Sequence, residues 1–411
     1  MQANDPFRLE TDVAVVGGGP TGLLLANLLG ARGVRTLVFD KREVPQTSSM
    51  AIGITPPSLE IMKPLGLDRI FRSVGLPVHH AEVYEARTRV GRLDFTTMDS
   101  EYPFFLSLPQ SRTIELLQAN LSQFPSVRLR GGATFTNSNQ DGSGVEATLR
   151  DSAGNSIRAR ARFLVGADGH KSAVRLAAGL KVREKIYPQR FVMADFCDDS
   201  GLGAEARLFF NAEASVESFP LPGGYRRWIV QVDEDLDADP AACLIRKVQR
   251  LTGFDLGKEP ALFVSVFGAK RMLVDCYYVG RILLAGDSAH VMSSIGGQGM
   301  NTGFADAEML AEILPKVLHD PSRLLSSFRA YDRIRREAFE VAAARAEVGM
   351  WLGTRRGRLA SWCRKHFIRR VLFSGLVRDK LAPHFAMLTI PYRNLSRLPR
   401  EWLDGELSQS Q

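Results

Sequence analysis

The chain has 411 residues, of which 45% are hydrophobic and 24% charged, and its formal net charge is +8. The length suffices for two or three domain-sized units, and the composition is ordinary for a soluble globular protein. A membrane-spanning class is excluded, since no apolar run approaches the ~20 residues that a bilayer requires, and residues 1–12 show no secretory-signal pattern.

The cysteine spacing and the net charge further restrict the kind of protein that this chain can be. The four cysteines lie without metal-ligand or CxxC spacing, which favours a reducing compartment, no disulfide framework and no metal site. A basic net charge permits nucleic acid as a partner, but the sequence has no zinc-finger spacing, recognition-helix pattern or aromatic–basic interleaving. We therefore expect a cytoplasmic protein that binds a small molecule and no nucleic acid; the oligomeric state stays open.

The first informative stretch is residues 12–42, DVAVVGGGPTGLLLANLLGARGVRTLVFDKR. Its apolar run Val13–Val16 is typical of a central parallel strand that is buried on both faces. A leucine-rich helix follows from Pro20, which suits a first helical position, and ends at Gly33. A second strand then covers residues 35–39, so the stretch predicts a β-α-β unit.

Three glycines and one acid in this unit match a dinucleotide site. Gly17 permits the tight turn, Gly19 lets the backbone approach a pyrophosphate, and Gly22 lets the helix lie close to the strand. The helix N-terminus offers unpaired N–H groups and partial positive charge to phosphates. Asp40 stands where a carboxylate accepts bonds from ribose hydroxyls. The alternative is a tight structural turn, and the motif does not distinguish FAD from NAD.

The remaining chain shows two patterns of predicted secondary structure. Helices and short strands alternate up to about residue 177, with a helix at 57–65, strands at 80–100, a helix at 109–123 and a β-meander at 127–165. From about 178 to 275 the chain changes to long strands with one helix around 240–251. This change indicates an inserted antiparallel sheet domain, after which a buried strand, a glycine-rich loop and helices follow.

Two later stretches each run from an apolar strand into a Gly-Asp pair. They are FLVGADGHKSAVR at 163–175 and GRILLAGDSAH at 280–290. This pattern places a carboxylate at the carboxyl edge of the sheet, beside a cofactor crevice. Asp287 is placed to bond a ribityl hydroxyl, and Asp168 to orient backbone near the pyrophosphate. The alternative for each is an aspartate that caps the following helix.

Together, GGGPTG, GADGHKSAVR and GRILLAGDSAH…GGQGMNTG resemble the motifs of single-component FAD-dependent aromatic hydroxylases, the para-hydroxybenzoate hydroxylase group, and of ubiquinone-ring hydroxylases. The resemblance covers about residues 10–345. It implies an α/β fold in which a Rossmann-like FAD-binding domain carries an inserted antiparallel β-sheet substrate domain and C-terminal helices. The implied boundaries are 1–80, 101–177 and 276–345 for the FAD-binding domain, 81–100 and 178–275 for the substrate domain, and 346–411 for a basic helical segment.

The resemblance also assigns cofactor-binding residues. The first motif holds the ADP part of FAD, the later two hold the rest, and the glutamine of LPQSRTIE contacts the cofactor. Arg175 matches the middle motif. The cofactor-binding residues so implied are Gly17, Gly19, Pro20, Thr21, Gly22, Asp40, Lys41, Gln110, Asp168, Gly286, Asp287, Gly297, Gly299, Met300 and Asn301.

The glycine-rich loop at 296–301 has a physical logic of its own. Its glycines let backbone N–H groups reach a flat ligand, and the helix that begins near Met300 points its positive end at them. Such a helix end stabilises negative charge on a reduced flavin by roughly 0.3–2 kcal/mol. Ser294, Gly296 and Gly297 are therefore the flavin-loop candidates for a catalytic role, and no acid or base is assigned.

The mechanism follows as an implication of the resemblance. NADPH or NADH reduces FAD without a second GxGxxG motif, reduced FAD traps O2 as a C4a-hydroperoxide, and the distal oxygen passes to an aromatic, phenolic or quinone-like substrate. The protein positions the substrate and excludes water. Two alternatives stay open: a same-fold epoxidase, halogenase or isoprenoid double-bond reductase, and a non-catalytic flavin-binding redox sensor.

Two positions depart from the family pattern. Ser293-Ser294 stands where the family usually has Pro-Pro, which leaves the loop looser because proline pre-sets the backbone dihedral. Ser49-Met50 stands where many members carry an arginine that touches the flavin or the nicotinamide. The second departure bears on how NAD(P)H is recruited and on how flavin motion is regulated.

Three further side chains have two interpretations each. His290, in GDSAH, is expected to pack behind the flavin loop, with titration in catalysis as the alternative. Tyr225 and Trp228, in PGGYRRWIV, are interpreted as sheet core, with the lining of a substrate cavity as the alternative.

The segment 355–380 is basic and amphipathic. Apolar residues at near-helical spacing are flanked by cations, namely Leu359, Trp362, Cys363, Phe367 and Val371 by Arg356, Arg364, Lys365, Arg369 and Arg370. One interpretation is a surface that rests peripherally on an anionic membrane and suits a lipophilic substrate. The other is a helix that docks on the FAD-binding domain while its cations stay in solvent.

Overall fold

The computed structural model describes residues 8–44, 50–232, 239–257, 259–293, 297–374 and 378–391. The strands are β1 Arg8–Val16, β2 Thr36–Phe39, β3 Gly53–Ile54, β4 Leu76–Val78, β5 His80–Glu85, β6 Thr88–Asp94, β7 Phe105–Ser107, β8 Val127–Arg130, β9 Thr134–Gln140, β10 Val145–Arg150, β11 Ser156–Gly166, β12 Val182–Cys197, β13 Ala206–Phe210, β14 Val216–Leu221, β15 Tyr225–Val232, β16 Phe263–Val274, β17 Tyr278–Val279, β18 Ile282–Leu284 and β19 His290–Val291. The helices are α1 Pro20–Gly30, α2 Pro56–Met62, α3 Leu67–Val74, α4 Gln110–Asn120, α5 Ala173–Ala177, α6 Pro240–Thr252, α7 Gln298–His319, α8 Leu324–Thr354, α9 Arg358–Phe367 and α10 Arg378–Phe385.

The first sheet carries the glycine-rich turn. Within the described residues its strand order is β17-β18-β11-β1-β2-β8, with β10 and β9 extending from β11. The strands β18, β11, β1, β2 and β8 run parallel, and β1 is central because Val13–Val16 can be buried on both faces. The predicted meander is right for β9 to β11 but wrong for β8, which pairs in parallel with β2.

The second sheet is built mainly from the inserted segment. Its described strands lie in the order β19-β16-β12-β15-β14-β13-β5-β6. One face packs against α6, where Trp228 joins Val230, Leu244 and Val248 in an apolar cluster. The interpretation of Trp228 as core is therefore confirmed, while Tyr225 is half-buried at the start of β15. The strand β19, at residues 290–291, also belongs to this sheet, although the expected substrate domain ends at residue 275. The domain boundaries stay a prediction.

The other face of the second sheet is covered by the helices that follow the glycine-rich loop. Met350 of α8 packs with Phe191 of β12, and Ile368, just after α9, packs with Val83 of β5. A small sheet in the order β3-β7-β4 lies nearby, where Ser107 Oγ donates to the carbonyl oxygen of Pro220 at 2.6 Å. The small sheet is therefore bonded to β14 of the second sheet.

A buried ion pair attaches α9 to the second sheet. Nε and Nη2 of Arg364 donate to the carboxylate of Glu85 on β5 at 2.6 and 2.7 Å, and both residues are 3% exposed. Nη1 of Arg364 also donates to the carbonyl oxygen of Arg355 at 2.8 Å. The expectation that this helix docks on the FAD-binding domain with its cations in solvent is therefore wrong at Arg364.

Candidate functional site

The turn between β1 and α1 requires glycine for steric reasons. Gly17 has φ of +117°, and a Cβ there would lie 2.2 Å from the carbonyl oxygen of Ala167. A Cβ at Gly22 would lie 2.0 Å from the carbonyl oxygen of Gly17. At Gly19, the N-cap of α1, a Cβ would meet nothing within 4 Å. The turn thus keeps open space in front of a helix N-terminus, as a phosphate group requires.

Asp40 lies against this turn at the carboxyl end of β2. Its Oδ2 accepts from the backbone N–H of Gly18 at 2.6 Å, and its Oδ1 accepts from the backbone N and Nε of Arg42 at 2.8 and 3.1 Å. Lys41 points into solvent. Nη2 of Arg42 also donates to Oδ2, at 3.5 Å. These bonds fix Asp40 against the turn, and a ribose hydroxyl would share its carboxylate with Arg42.

The middle motif is held by its own side chains. Asp168 accepts from Oγ of Ser172 at 2.5 Å and from the backbone N of Ala173 at 2.7 Å, so it caps α5. Arg175 donates to the carbonyl oxygens of Ser288 and His170, both at 2.8 Å, and burial lowers its pKa. Asp168 therefore positions this turn, and Arg175 joins the middle motif to the third one.

The third motif meets the first at Thr21. A Cβ at Gly286, which has φ of +62°, would lie 2.7 Å from Oγ1 of Thr21, and one at Gly303 would lie 2.4 Å from it. The side chain of Asp287 is exposed to solvent, although many protein atoms lie around it. This burial raises the pKa of Asp287, while the charges of nearby cations lower it: His290, His170 and Lys270. Asp287 thus lies in a recess that is open to solvent.

The N-terminus of α7 is a second helix end with open space in front of it. Gly297 is its N-cap with φ of +63°, and a Cβ at Gly297 or Gly299 would meet nothing within 4 Å. The buried side-chain oxygen of Gln298 has no hydrogen-bond partner among the described residues. Met300 is half-buried, whereas Ser294 and Gly296 lie outside the described residues.

Asn301 ties α7 to the segment before α2. Its Oδ1 accepts from the backbone N of Thr55 at 3.0 Å and from Oγ of Ser58 at 2.8 Å. Its Nδ2 donates to the carbonyl oxygens of Gly53 and Gly297 at 2.9 and 2.8 Å. The Asn301 side chain is thus engaged within the protein, and it positions the loop on which the flavin candidates lie.

The two positions that depart from the family pattern contact the second sheet and α8. The carbonyl oxygen of Met50 accepts from Nη1 of Arg227 at 2.8 Å. The next residue, Ala51, accepts from the backbone N of Gln110 at the start of α4, at 3.0 Å. Ser293 is 2% exposed, and its Oγ lies 3.5 Å from Sδ of Met350. Ser49 lies outside the described residues.

A buried charged cluster lies directly behind the third motif. Oδ2 of Asp306 lies 2.6 Å from Nε2 of His290 and accepts from the backbone N of Gly286 at 2.8 Å. Its Oδ1 accepts from Nε of Arg335 at 2.7 Å. The exposed fractions of His290, Asp306 and Arg335 are 1%, 0% and 2%. Although burial alone raises the pKa of Asp306, the charges of His290 and Arg335 hold it below its usual value.

His290 thus has the packing position that the sequence analysis expected. Asp306 and Arg335 were missed there, and the available signal was weak. Asp306 is the first of two acids in GFADAEML, a mostly apolar part of α7. An acid on the buried face of a helix needs a partner, so its position predicts a cation nearby but does not say which one.

The described residues fit a bound FAD. Open space lies at the N-termini of α1 and α7, and carboxylates stand at both ends of the cleft, at Asp40 and Asp287. Both helix ends carry unpaired N–H groups and partial positive charge, which suit the pyrophosphate and an electron-rich flavin. The residues that would hold the group are thus those that the three motifs supply.

Comparison with known proteins agrees with this fit. Residues 10–346 match the model of a family described as an FAD binding domain. The chain is 33% identical over 331 residues to 6-methylpretetramide 4-monooxygenase of Streptomyces rimosus, a match that covers 77% of this chain and 58% of the relative. It is 30% identical over 336 residues to 3-(3-hydroxy-phenyl)propionate/3-hydroxycinnamic acid hydroxylase of Comamonas testosteroni, covering 80% and 56%. The chain thus spans less than two thirds of the length of either relative.

A solved structure extends the likeness to the whole fold. The p-nitrophenol 4-monooxygenase PnpA of Pseudomonas putida DLL-E4 matches with a TM-score of 0.85 at 25% identity, covering 93% of this chain and 98% of that one. The fold class is therefore the α/β fold of FAD-dependent aromatic hydroxylases, as the three motifs predicted. The chain belongs to this FAD-binding family, and FAD is the cofactor that the family's domain binds.

Replacing Gly19 with alanine is expected to weaken FAD binding without unfolding the chain. The φ of −81° accommodates alanine, and the new Cβ contacts no protein atom, but it occupies the space in front of α1. We expect FAD affinity to fall by about tenfold or more, or ~1.4 kcal/mol, with unchanged thermal unfolding of the flavin-free protein. Gly142→Ala, which also meets open space, is the control and should bind FAD normally. Equal FAD affinity in both variants would contradict the assignment.

Replacing Asp306 with asparagine is expected to destabilise the chain and release FAD. The change leaves Arg335 buried without its counter-charge, so the free energy of unfolding should fall by about 3–5 kcal/mol. The control is Asp332→Asn, because Asp332 also pairs with an arginine, Arg336, but is 24% exposed. Its loss should be about 1 kcal/mol or less. Urea unfolding of both flavin-free variants measures this difference, and equal losses would refute a structural role for the buried cluster.

Proposed function

We propose that this chain is an FAD-dependent monooxygenase that uses NAD(P)H and O2 to hydroxylate an aromatic, phenolic or quinone-like small molecule. One observation carries the proposal: the three motifs converge on a cleft with open helix N-termini, in a chain whose relatives are named monooxygenases and hydroxylases. When bound, FAD supplies electron transfer from the nicotinamide to O2 and the activated oxygen. The form of that activated oxygen and the choice between NADH and NADPH stay predictions.

The chain's own residues bind, orient and shield. The N-terminus of α1 and the Asp40 carboxylate would hold the adenosine end, and Asp287 would receive a ribityl hydroxyl. The positive end of α7 would stabilise negative charge on the ring system. The second sheet and α8, which contact Met50 and Ser293, would limit the access of water to the reacting atoms. Asp306 sets the backbone of Gly286 from behind.

Turnover with labelled oxygen tests this proposal. The yellow, FAD-loaded protein is mixed with NADH or NADPH, labelled O2 and a panel of small phenols, with flavin-stripped protein as control. We expect at least one phenol to accelerate nicotinamide oxidation and to gain one labelled oxygen atom. A product without new oxygen would favour the same-fold reductase. Bound flavin without any turnover would favour the redox sensor.

We also propose that the protein contacts an anionic membrane peripherally through a tail surface. This surface consists of apolar side chains that are 44% to 75% exposed, namely Trp351, Leu359, Trp362, Phe367 and Val371. Exposed cations surround them: Arg355, Arg356, Arg358, Arg369 and Arg370. Apolar side chains beside arginines suit the boundary between acyl chains and anionic headgroups. None of the helices in the described ranges is both long and apolar enough to cross a bilayer.

Vesicle binding tests the tail surface. The double variant Leu359→Ser/Trp362→Ser should bind vesicles of phosphatidylglycerol and phosphatidylcholine at least about tenfold more weakly, because two anchoring side chains are lost. Leu176→Ser, which replaces a leucine that is 70% exposed on α5, should bind like the unmodified protein. Binding of the unmodified protein should fall with salt. Salt-independent binding, or self-association without vesicle binding, would contradict the proposal.

A further inference from the structure

Glu217 lies on the face of the second sheet that is turned away from α6. Along β14, Val216 points to α6 and packs in the cluster around Leu244. Glu217 therefore points to the opposite face, because successive side chains of a strand alternate. Phe219, on the same face, packs in the cluster that contains Leu381 of α10. The Glu217 carboxyl thus lies on the side of the sheet that the C-terminal helices cover.

The immediate neighbours of Glu217 are apolar and reach two different covering elements. In register with Glu217 lie Leu208 on β13 and Ile229 on β15. Leu208 packs with Ile368 beyond α9, and Ile229 packs with Met350 of α8. Met350 in turn contacts Ser293 of the flavin loop. The carboxyl therefore lies on the side of the sheet that faces Ser293, with the side chains of Ile229 and Met350 between them.

An internal space adjoins Glu217. Glu217, Leu208, Phe219 and Ile229 all keep partial solvent exposure, although they lie on interior strands beneath covering helices. Side chains in such a position are fully buried when the layers are packed tightly. Their exposure indicates a cavity between the sheet and the helices, large enough for solvent to enter.

Most charged groups around this face are paired with other residues, whereas Arg345 donates only to the carbonyl oxygen of Thr389 at 2.9 Å and its Nη1 has no partner among the described residues. Arg227 pairs with Asp195 at 2.7 Å, and the buried pair of Arg364 with Glu85 lies towards β5. Further charges lie on the covering helices and the far strands: Arg271 and Tyr187, both bonded to Glu347, together with Glu340, Arg345 and His384. Glu217 has no hydrogen bond or ion pair to another described residue. Burial alone raises its pKa to about 7.

We propose that Glu217 receives the hydroxyl of a phenolic substrate in this cavity and accepts its proton. The proposal rests on the proposed function and names the substrate class. In the step, the phenolic O–H bond breaks and an O–H bond forms on the Glu217 carboxylate. The electron pair stays on the phenolic oxygen and enriches the ring carbons that are to be oxygenated. No oxidant is consumed in this step.

The acid also sets a preference among aromatic compounds. A substrate that carries its own carboxylate brings a second negative charge close to the Glu217 carboxylate, and the two charges repel each other. Uncharged phenols therefore bind better than phenolic acids. This preference follows from charge alone and holds whichever ring carbon reacts.

Equilibrium binding of 4-nitrophenol tests the proposal without turnover. Its absorbance distinguishes phenol from phenolate, so bound species are read directly from about pH 5 to pH 9. With the unmodified FAD-loaded protein, affinity should fall as pH rises above the pKa values of both Glu217 and the probe, because phenolate and carboxylate then repel. In Glu217→Gln, affinity at neutral pH should be about tenfold weaker, since a charge-assisted hydrogen bond is lost. The fall at high pH should also disappear.

Two controls and a competitor complete the experiment. Glu217→Asp should keep the fall in affinity at high pH, and Glu213→Gln, a nearby surface acid bonded to Arg250, should behave like the unmodified protein. Glu217→Gln should bind 4-hydroxybenzoate better than the unmodified protein does. Identical pH profiles for Glu217→Gln and the unmodified protein, or absence of 4-nitrophenol binding to the latter, would overturn the proposal. Failure of oxygen incorporation in the turnover assay would instead refute the proposed function alone.

Discussion

The contact between Gly17 and Ala167 is the constraint on which the rest depends. Since β1 and β11 run parallel, their carboxyl ends meet, and a Cβ at Gly17 would lie 2.2 Å from the Ala167 carbonyl oxygen. Only a bare backbone permits this approach, and it brings the turn before α1 beside the turn before α5. Gly22 repeats the constraint one helical turn later. The cleft therefore forms because the backbone at Gly17 packs directly against the backbone at Ala167.

Charged side chains stabilise the contacts between the turns that the glycines bring together. Arg175 bonds the turn after β11 to Ser288, and Asp306 bonds the backbone of Gly286 while it neutralises Arg335. These groups are buried, so each bond forms in a medium of low effective dielectric, where an unpaired member is strongly disfavoured. The cofactor cleft is thus lined by backbone and supported from behind by paired charges.

Local sequence predicted the β-α-β unit, the three motifs and the inserted sheet because each depends on short-range patterns of glycine, proline and apolar residues. It did not predict the partner of β8, since VRLR carries no signal of the strand, some 90 residues earlier, beside which it lies. Nor did it predict that Arg364 is buried, because nothing in a segment rich in cations distinguishes this arginine from the exposed ones. Asp306 and Glu217 were missed for the same reason: burial of an acid is decided by tertiary packing.

The ion pair between Arg364 and Glu85 changes how the C-terminal helices are to be regarded. Removal of everything after α8 would take away the arginine that neutralises Glu85 and would uncover Val83 and Val90, against which Ile368 packs. The helix α9 therefore neutralises an acid that lies far away in the chain. A chain ending near residue 354 would contain every nucleotide-binding motif, but it would lack the ion pair and the packing that stabilise β5 of the second sheet.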